Sequence, residues 1–270
     1  KFMISVALFG IGRAGGEVVK EIATSGQFHL CAVFCRDGSP KAGQPVSSLL
    51  QIGELGVQVN ELSQAPRVLE ETKPDVCVDF SNHACAAAIL SACAPQKIPC
   101  VLCTTGFAAE ELEELSAFVQ QNGMGAVYAP NVTLGVNVLI AAIKVVARAL
   151  PDFDYRITET HHNKKFDKPS GTARVIADAI ENELEKEDVR RYVPIHSIRA
   201  GGYIGLHEVL LANDCERLSF THESFNRRAF ARGALAAAKF VIGKTGWYGM
   251  QDVVNIPVSR AHAAVSIDAD

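Results

Sequence analysis

Between positions 159 and 173 the chain reads Glu-Thr-His-His-Asn-Lys-Lys-Phe-Asp-Lys-Pro-Ser-Gly-Thr-Ala. Two histidines, His161 and His162, and three lysines, Lys164, Lys165 and Lys168, stand against one nearby aspartate, Asp167. The spot is cationic inside a protein whose 26 basic and 30 acidic residues leave it at −4. Such a spot draws a small anion. Pro169-Ser170-Gly171-Thr172 then opens a helix at about 172–184. Its first N–H groups and two hydroxyls form a cradle for a carboxylate or phosphate. A histidine at the end of a strand donates a proton at physiological pH, because its ordinary pKa is near ~6.5. A neighbouring lysine does the same or fixes a carboxylate. The same residues also read more plainly, as a Ser-capped helix preceded by solvated lysines.

A second stretch, Gly10-Ile11-Gly12-Arg13-Ala14-Gly15, matches G-x-G-x-x-G between an apolar run and a helical pattern. In that setting the first glycine permits a tight turn, the second lets backbone approach a pyrophosphate, and the third lets helix and sheet pack closely. About 20 residues on, where a carboxylate would hold the ribose hydroxyl of NAD, the chain has Cys35-Arg36-Asp37. Arg36 suits a 2′-phosphate while Asp37 retains a carboxylate, so NADPH is the expected cofactor, with NADH possible.

Around these motifs, short β-branched runs alternate with helical patterns. Strands are expected at 4–9, 28–35, 75–80, 99–104 and 125–129, with helices at 14–25, 83–94 and 108–122, the form of a parallel sheet covered on both faces. The regime changes at Ala129-Pro130-Asn131. A helix at about 134–150 and a strand at 153–160 follow, and then three closely spaced strand candidates within 193–222. Those leave no room for crossover helices and are expected to be antiparallel. A final helix is expected at 226–242. The fold class is therefore α/β, a Rossmann-like parallel-sheet dinucleotide-binding domain over 1–130, joined to an α+β domain with a mainly antiparallel sheet over 131–239.

Composition narrows the remaining classes. With no Lys/Arg block, neither a non-specific nucleic-acid surface nor a polybasic membrane anchor is expected. No apolar run reaches the ~18–20 residues of a membrane span. The first apolar run reads as a strand and not as a signal peptide, so a cytoplasmic enzyme is expected. Of eight cysteines, Cys100 and Cys103 form C-x-x-C, but no partner motif lies near them, and no metal site is expected.

The H-H-x-x-K-x-D-x-P-S-G-T block, the glycine loop, Cys103-Thr104-Thr105-Gly106-Phe107 and Ala129-Pro130-Asn131 together closely resemble the 4-hydroxy-tetrahydrodipicolinate (dihydrodipicolinate) reductase family. The resemblance continues through Ile198-Arg199-Ala200-Gly201-Gly202-Tyr203-Ile204-Gly205-Leu206-His207 and Glu216-Arg217-Leu218-Ser219-Phe220-Thr221-His222 and spans essentially the whole chain. It implies reduction of a cyclic dicarboxylate with NAD(P)H in the diaminopimelate route to lysine. His161 would be the general acid, with Lys165 assisting proton transfer or binding substrate. His162, Ser170, Gly171 and Thr172 would hold a substrate carboxylate. Gly10, Ile11, Gly12, Arg13, Gly15 and Arg36 would bind the pyrophosphate and ribose, Thr104, Thr105 and Gly106 would lie under the nicotinamide, and Ala129, Pro130 and Asn131 would form the crossing between domains. It further implies a homotetramer and a cofactor half completed by residues of about 240–270. The chain departs from the family pattern at Ala14, Cys35, Asn82-His83 and Cys103, all on the cofactor side. Another two-domain dehydrogenase would carry a catalytic cysteine or a different base in place of the histidine–lysine block. A non-catalytic dinucleotide sensor would have lost the His161/Lys165 pair.

Overall fold

The computed structural model describes residues 3–255. The elements run β1 (Ile4–Phe9), α1 (Arg13–Ser25), β2 (Phe28–Cys35), α2 (Val46–Leu50), β3 (Val59–Glu61), α3 (Ala65–Thr72), β4 (Val76–Asp79), α4 (His83–Cys93), β5 (Cys100–Leu102), α5 (Ala109–Gln121) and β6 (Gly125–Tyr128). There follow α6 (Leu134–Ala149), β7 (Asp154–His161), α7 (Gly171–Lys186), β8 (Ile195–Arg199), β9 (Leu206–Ala212), β10 (Arg217–Glu223), α8 (Arg228–Val241), β11 (Gly246–Gly249) and α9 (Met250–Val254).

Seven parallel strands form one sheet in the order β11-β6-β5-β4-β1-β2-β3. Its central strands are apolar on both faces because helices cover both. Val18, Val19 and Ile22 of α1 join Ala231, Leu235 and Val241 of α8 over one face. Leu69 of α3, Ile89 and Leu90 of α4 and Val119 of α5 close the other. β4 and β2 flank β1 on opposite sides, so the chain reverses its winding there and opens a crevice at the C-terminal ends of β1 and β4. That crevice is where open α/β sheets bind ligands.

The second sheet runs β10-β9-β7-β8. Tyr155 and Ile157 of β7 and Val209 and Leu211 of β9 pack on Ile140 and Ile143 of α6 and on Ile176 and Ile180 of α7. Among the described residues no helix is long and apolar enough to cross a membrane.

The structure adds the helices α2, α3 and α9 to those expected and differs further in its strands. β8 pairs parallel to β7, and only β9 and β10 make the antiparallel ladders. The helix expected at 172–184 is itself the crossover that returns the chain parallel to β7. The sheet also gains β3, three residues long and too short for a periodic signal to register. Finally, 246–249, expected only to end the last helix, form edge strand β11 beside β6. Of the stretch 240–270, residues 256–270 lie outside the described residues.

Candidate active site

Glycines shape the first half of the site. Gly10 follows β1 at φ +90, and a Cβ there would meet the Phe80 carbonyl at 2.5 Å. A Cβ on Gly15 would overlap the Gly10 carbonyl oxygen. These glycines let the turn pass between β1 and β4 and seat α1 against it. Gly12 precedes α1 with no side-chain cap, and a Cβ placed on it would meet nothing within 4 Å. Open space at the N-terminus of α1 fits a pyrophosphate. Nearby, Lys41 Nζ donates to the Ile11 carbonyl at 2.7 Å. A narrow pocket beside Gly10 is lined by Cys35, Arg36, Leu62 and Ser81. The carboxylate of Asp37 accepts from Ser63 N at 2.9 Å, and Glu61 accepts from Gly38 N at 2.8 Å. Both acids next to Arg36 are thus engaged with backbone.

At the end of β4, buried Asp79 accepts from Ser81 N at 2.7 Å and from the Thr104 hydroxyl at 3.4 Å. Burial pushes its carboxyl up to about 6, against those hydrogen bonds. Asp79 thereby ties the loop after β4 to the Thr104-Thr105-Gly106 segment. Burial also pushes the neighbouring Cys103 thiol well above its ordinary value. Cys100 and Cys103 do not pair: Cys100 faces the α3/α4/α5 core, where its Sγ and those of Cys77 and Cys93 lie within 4.8 Å of one another, and Cys103 packs towards the opposite core.

The second half is built on the end of β7. Register decides its composition, since His161 is opposite Arg199 on β8 and Glu159 is opposite His207 on β9. Glu159, fully buried, accepts from both terminal nitrogens of Arg199, at 2.7 and 3.0 Å, and from Ser170 N at 3.3 Å. It also holds His161 Nδ1 in a short hydrogen bond. Burial pushes the Glu159 carboxyl up, but contacts with Arg199, Ser197 and His161 outweigh it and hold it down at about 2. Burial likewise depresses His161; Glu159 opposes that effect, and Lys165 and Arg199 add to it. A Cβ on Gly205 would come within 3.2 Å of His161 Nε2. The space beside that nitrogen therefore exists because residue 205 has no side chain.

Ser170 caps α7, its hydroxyl accepting from Ala173 N at 3.2 Å. Gly171 and Thr172 keep N–H groups without an intrahelical acceptor. Asn131, on the crossing after β6, donates to the Thr172 hydroxyl at 2.7 Å and bridges the two sheets. Lys165 pairs with Asp167 at 2.8 Å. His162 anchors its backbone N–H on the Tyr203 carbonyl at 2.7 Å, and its Nδ1 is buried without a partner among the described residues.

A cavity of about 660 Å³ joins the halves, with Thr105, Tyr128, Pro130 and Asn131 on one wall and Lys165, Ser170, Gly171 and Thr172 on the other. It also takes in Asn137 and the 249–252 segment, which the sequence reading did not single out. His161 and His162 do not line it. His161 stands one contact behind the wall, through Glu159 and through His207, whose Nε2 lies 3.3 Å from the Ser170 hydroxyl. Glu159, Arg199 and His207 were all missed as site residues. Glu159 had a period-two signal, two residues before His161 on the same strand face. Arg199 and His207 lay within the family-like stretch 198–207 with no role assigned to them, and strand register brings them to the site.

Comparison with known proteins gives the same picture. Residues 4–132 match the family model "Dihydrodipicolinate reductase, N-terminus" and residues 135–254 match "Dihydrodipicolinate reductase, C-terminus". The chain is similar to a 4-hydroxy-tetrahydrodipicolinate reductase of Methanocaldococcus jannaschii, at 34% identity over 94% of this chain and 98% of that one. It is as similar to one of Methanosarcina barkeri, at 34% identity over 94% and 100%. Among solved structures, a dipicolinate-bound dihydrodipicolinate reductase from Paenisporosarcina superposes with a TM-score of 0.75 at 26% identity, covering 93% of this chain and 99% of the other. An amine dehydrogenase from Mycobacterium smegmatis, with a TM-score of 0.68 at 16% identity, shares the fold. Family matches over both halves of the chain, and relatives 34% identical over nearly its full length, lead to one conclusion: the chain belongs to the dihydrodipicolinate reductase family of oxidoreductases.

Proposed function

We propose that this protein reduces 4-hydroxy-tetrahydrodipicolinate to tetrahydrodipicolinate with NADPH, the reductive step of the diaminopimelate route to lysine. The observation that carries the reading is the shared cavity, which sets Thr105, Pro130 and Asn131 opposite Lys165 and the first turn of α7. In this reading the substrate carboxylates lie on Lys165 and on Ser170, Gly171 and Thr172, and His162, set back from the cavity, supports the turn that carries Lys165. Lys165 exchanges its Asp167 contact for the ligand. When bound, the nicotinamide supplies a hydride. The conversion takes up that hydride and one proton and releases water. With Nδ1 donating to Glu159, His161 gives a proton from Nε2 only in its imidazolium form, towards the space left by Gly205, and returns to the neutral ring with its proton on Nδ1. Orientation within the cavity contributes several kcal/mol of the barrier, and the proton donor ~10²–10⁴-fold.

Support for NADPH over NADH comes from Arg36, which is exposed beside the narrow pocket, while Asp37 and Glu61 are occupied by backbone N–H groups. Gly10, Ile11, Gly12, Arg13 and Gly15 carry the pyrophosphate, and Thr104, Gly106 and Ala129 shape the floor. The assembly is a cytoplasmic homotetramer formed through the second sheet, whose β8 and β10 leave Ile198 and Leu218 exposed.

The test is cofactor oxidation with substrate generated from pyruvate and aspartate semialdehyde by the preceding synthase. Oxidation that depends on both proteins, with kcat/KM higher for NADPH, is the expected result. Arg36→Ala should erase that preference by raising KM for NADPH about 10-fold or more, the scale of a lost charge-assisted contact. Absence of synthase-dependent oxidation with either cofactor would overturn the reading.

A further inference from the structure

His207 sits 4% exposed beneath the start of α7, and among the described residues its hydrogen-bond partner on the cavity wall is Ser170. Its Nε2 lies 3.3 Å from the Ser170 hydroxyl oxygen, and its Nδ1 is buried with no partner among the described residues. Two arrangements satisfy that contact. Either the serine hydroxyl donates to Nε2 and the ring proton sits on Nδ1, or Nε2 carries the proton and donates to the serine.

The first arrangement buries an N–H with nothing to accept it; the second leaves only a bare lone pair there. Orphaned buried N–H groups are the rarer and more costly defect. A doubly protonated ring is excluded at neutral pH, because burial, with His161 and His222 close by, pushes His207 down to about 4. The Ser170 oxygen already accepts from Ala173 N, so a second donor fills its remaining lone pair. Only the hydroxyl proton is then left, and the open direction is the cavity that Ser170 lines.

We propose that His207 is a positioning residue that donates from Nε2 to Ser170 and so commits the Ser170 hydroxyl to donate into the cavity. Together with the N–H groups of Gly171 and Thr172 and the Lys165 ammonium, it gathers donors at the start of α7, while Asp167, which lines the same cavity, is paired with Lys165. Such a cluster of donors favours a deprotonated carboxylate over the matching carboxamide, whose NH₂ brings further donors to it. This selectivity rests on reading the start of α7 as the carboxylate site; the tautomer of His207 does not.

The tautomer is read directly from ¹⁵N-histidine-labelled protein by long-range ¹H–¹⁵N correlation at pH 7, with His207 assigned from the signals lost in His207→Gln. A protonated Nε2 and a bare Nδ1 are expected; the reverse pattern overturns the proposal. In a second experiment, calorimetric titration of dipicolinate into the NADPH-saturated enzyme compares variants. His207→Leu should weaken binding about 10-fold, the scale of a mispointed donor to a charged group. His207→Gln, whose amide nitrogen stands near the position of Nε2, should stay within about 3-fold. In a Ser170→Ala background His207→Leu should add no more than about 2-fold, since the hydroxyl it orients is gone. An equal effect with and without Ser170 overturns the positioning role. If the native enzyme binds no dipicolinate while His207 shows the expected tautomer, the carboxylate-site reading fails and the serine orientation stands.

Discussion

Arg199 grips Glu159 with both terminal nitrogens, 2.7 Å to one carboxylate oxygen and 3.0 Å to the other, and the same carboxylate holds Nδ1 of His161. Both charged side chains are almost completely buried, so neither tolerates the loss of the other. Arg199→Ala should lower unfolding stability by about 3–5 kcal/mol, because it leaves a buried carboxylate uncompensated. Urea denaturation at pH 7.5 measures this. A loss below about 1 kcal/mol would place the pair with surface ion pairs, whose contribution is small.

Two groups with lowered native values should cost stability on the acid side, the first of them in a window where Asp79 acts in the opposite direction. His207 is depressed to about 4 from an ordinary 6.5, so the unfolded chain takes up its proton first, and stability falls as pH drops from 6.5 towards 4. Glu159 is held at about 2 against an ordinary 4.5, so its contribution is complete above pH 4.5 and is lost as pH falls through 2. Each amounts to about 3 kcal/mol. His207→Gln should flatten the upper step and leave the lower one in place, as followed by denaturant midpoints from pH 7 down to pH 2.5.

Asp79 works in the opposite direction. Its native carboxyl titrates at about 6 against an ordinary 3.8, so the native state keeps a proton that the unfolded chain releases. Stability is therefore lost as pH rises from 3.8 to 6. Asp79→Asn keeps the shape and removes the cost of ionising in the core. It should stabilise the protein by up to about 3 kcal/mol at pH 7.5 and by little at pH 4. Equal effects at the two pH values would mean that the native carboxyl of Asp79 is not raised above its ordinary value.

Gly205 guards the free nitrogen of His161. A methyl group there would stand 3.2 Å from Nε2, tight enough that the ring or the loop before β9 must give. Gly205→Ala should lower kcat by about 10²-fold, the low end of what a misplaced proton donor costs, while leaving the KM for NADPH unchanged. Steady-state kinetics separate the two parameters. Unchanged kcat would mean that Nε2 is not the nitrogen that gives up the proton.

Much of this architecture was written locally. The glycine loop between β1 and α1 and the Ser170 cap of α7 depend on neighbours within a few residues, and chain chemistry at that range reads directly from sequence. The apolar runs of β1, β2, β4 and β6 were legible for the same reason: burial on both faces demands them. The parallel pairing of β8 escaped because the closely spaced strands of 193–222 suggested hairpins, whereas the crossover lay upstream in α7. β3 and β11 escaped because three- and four-residue edge strands carry almost no periodic signal.

The sequence by itself determined the longer elements, the Ser170 cap and the family to which the chain belongs, since those follow from local propensity and from contiguous motifs. The tertiary structure alone decided that His161 would share its carboxylate with Arg199, that His207 would lie against Ser170, and that Asn131 would reach Thr172. Those contacts join residues 37 to 41 positions apart, or neighbours across two strands. They depend on strand register and on the packing of one sheet against the other, quantities that no short stretch of residues contains.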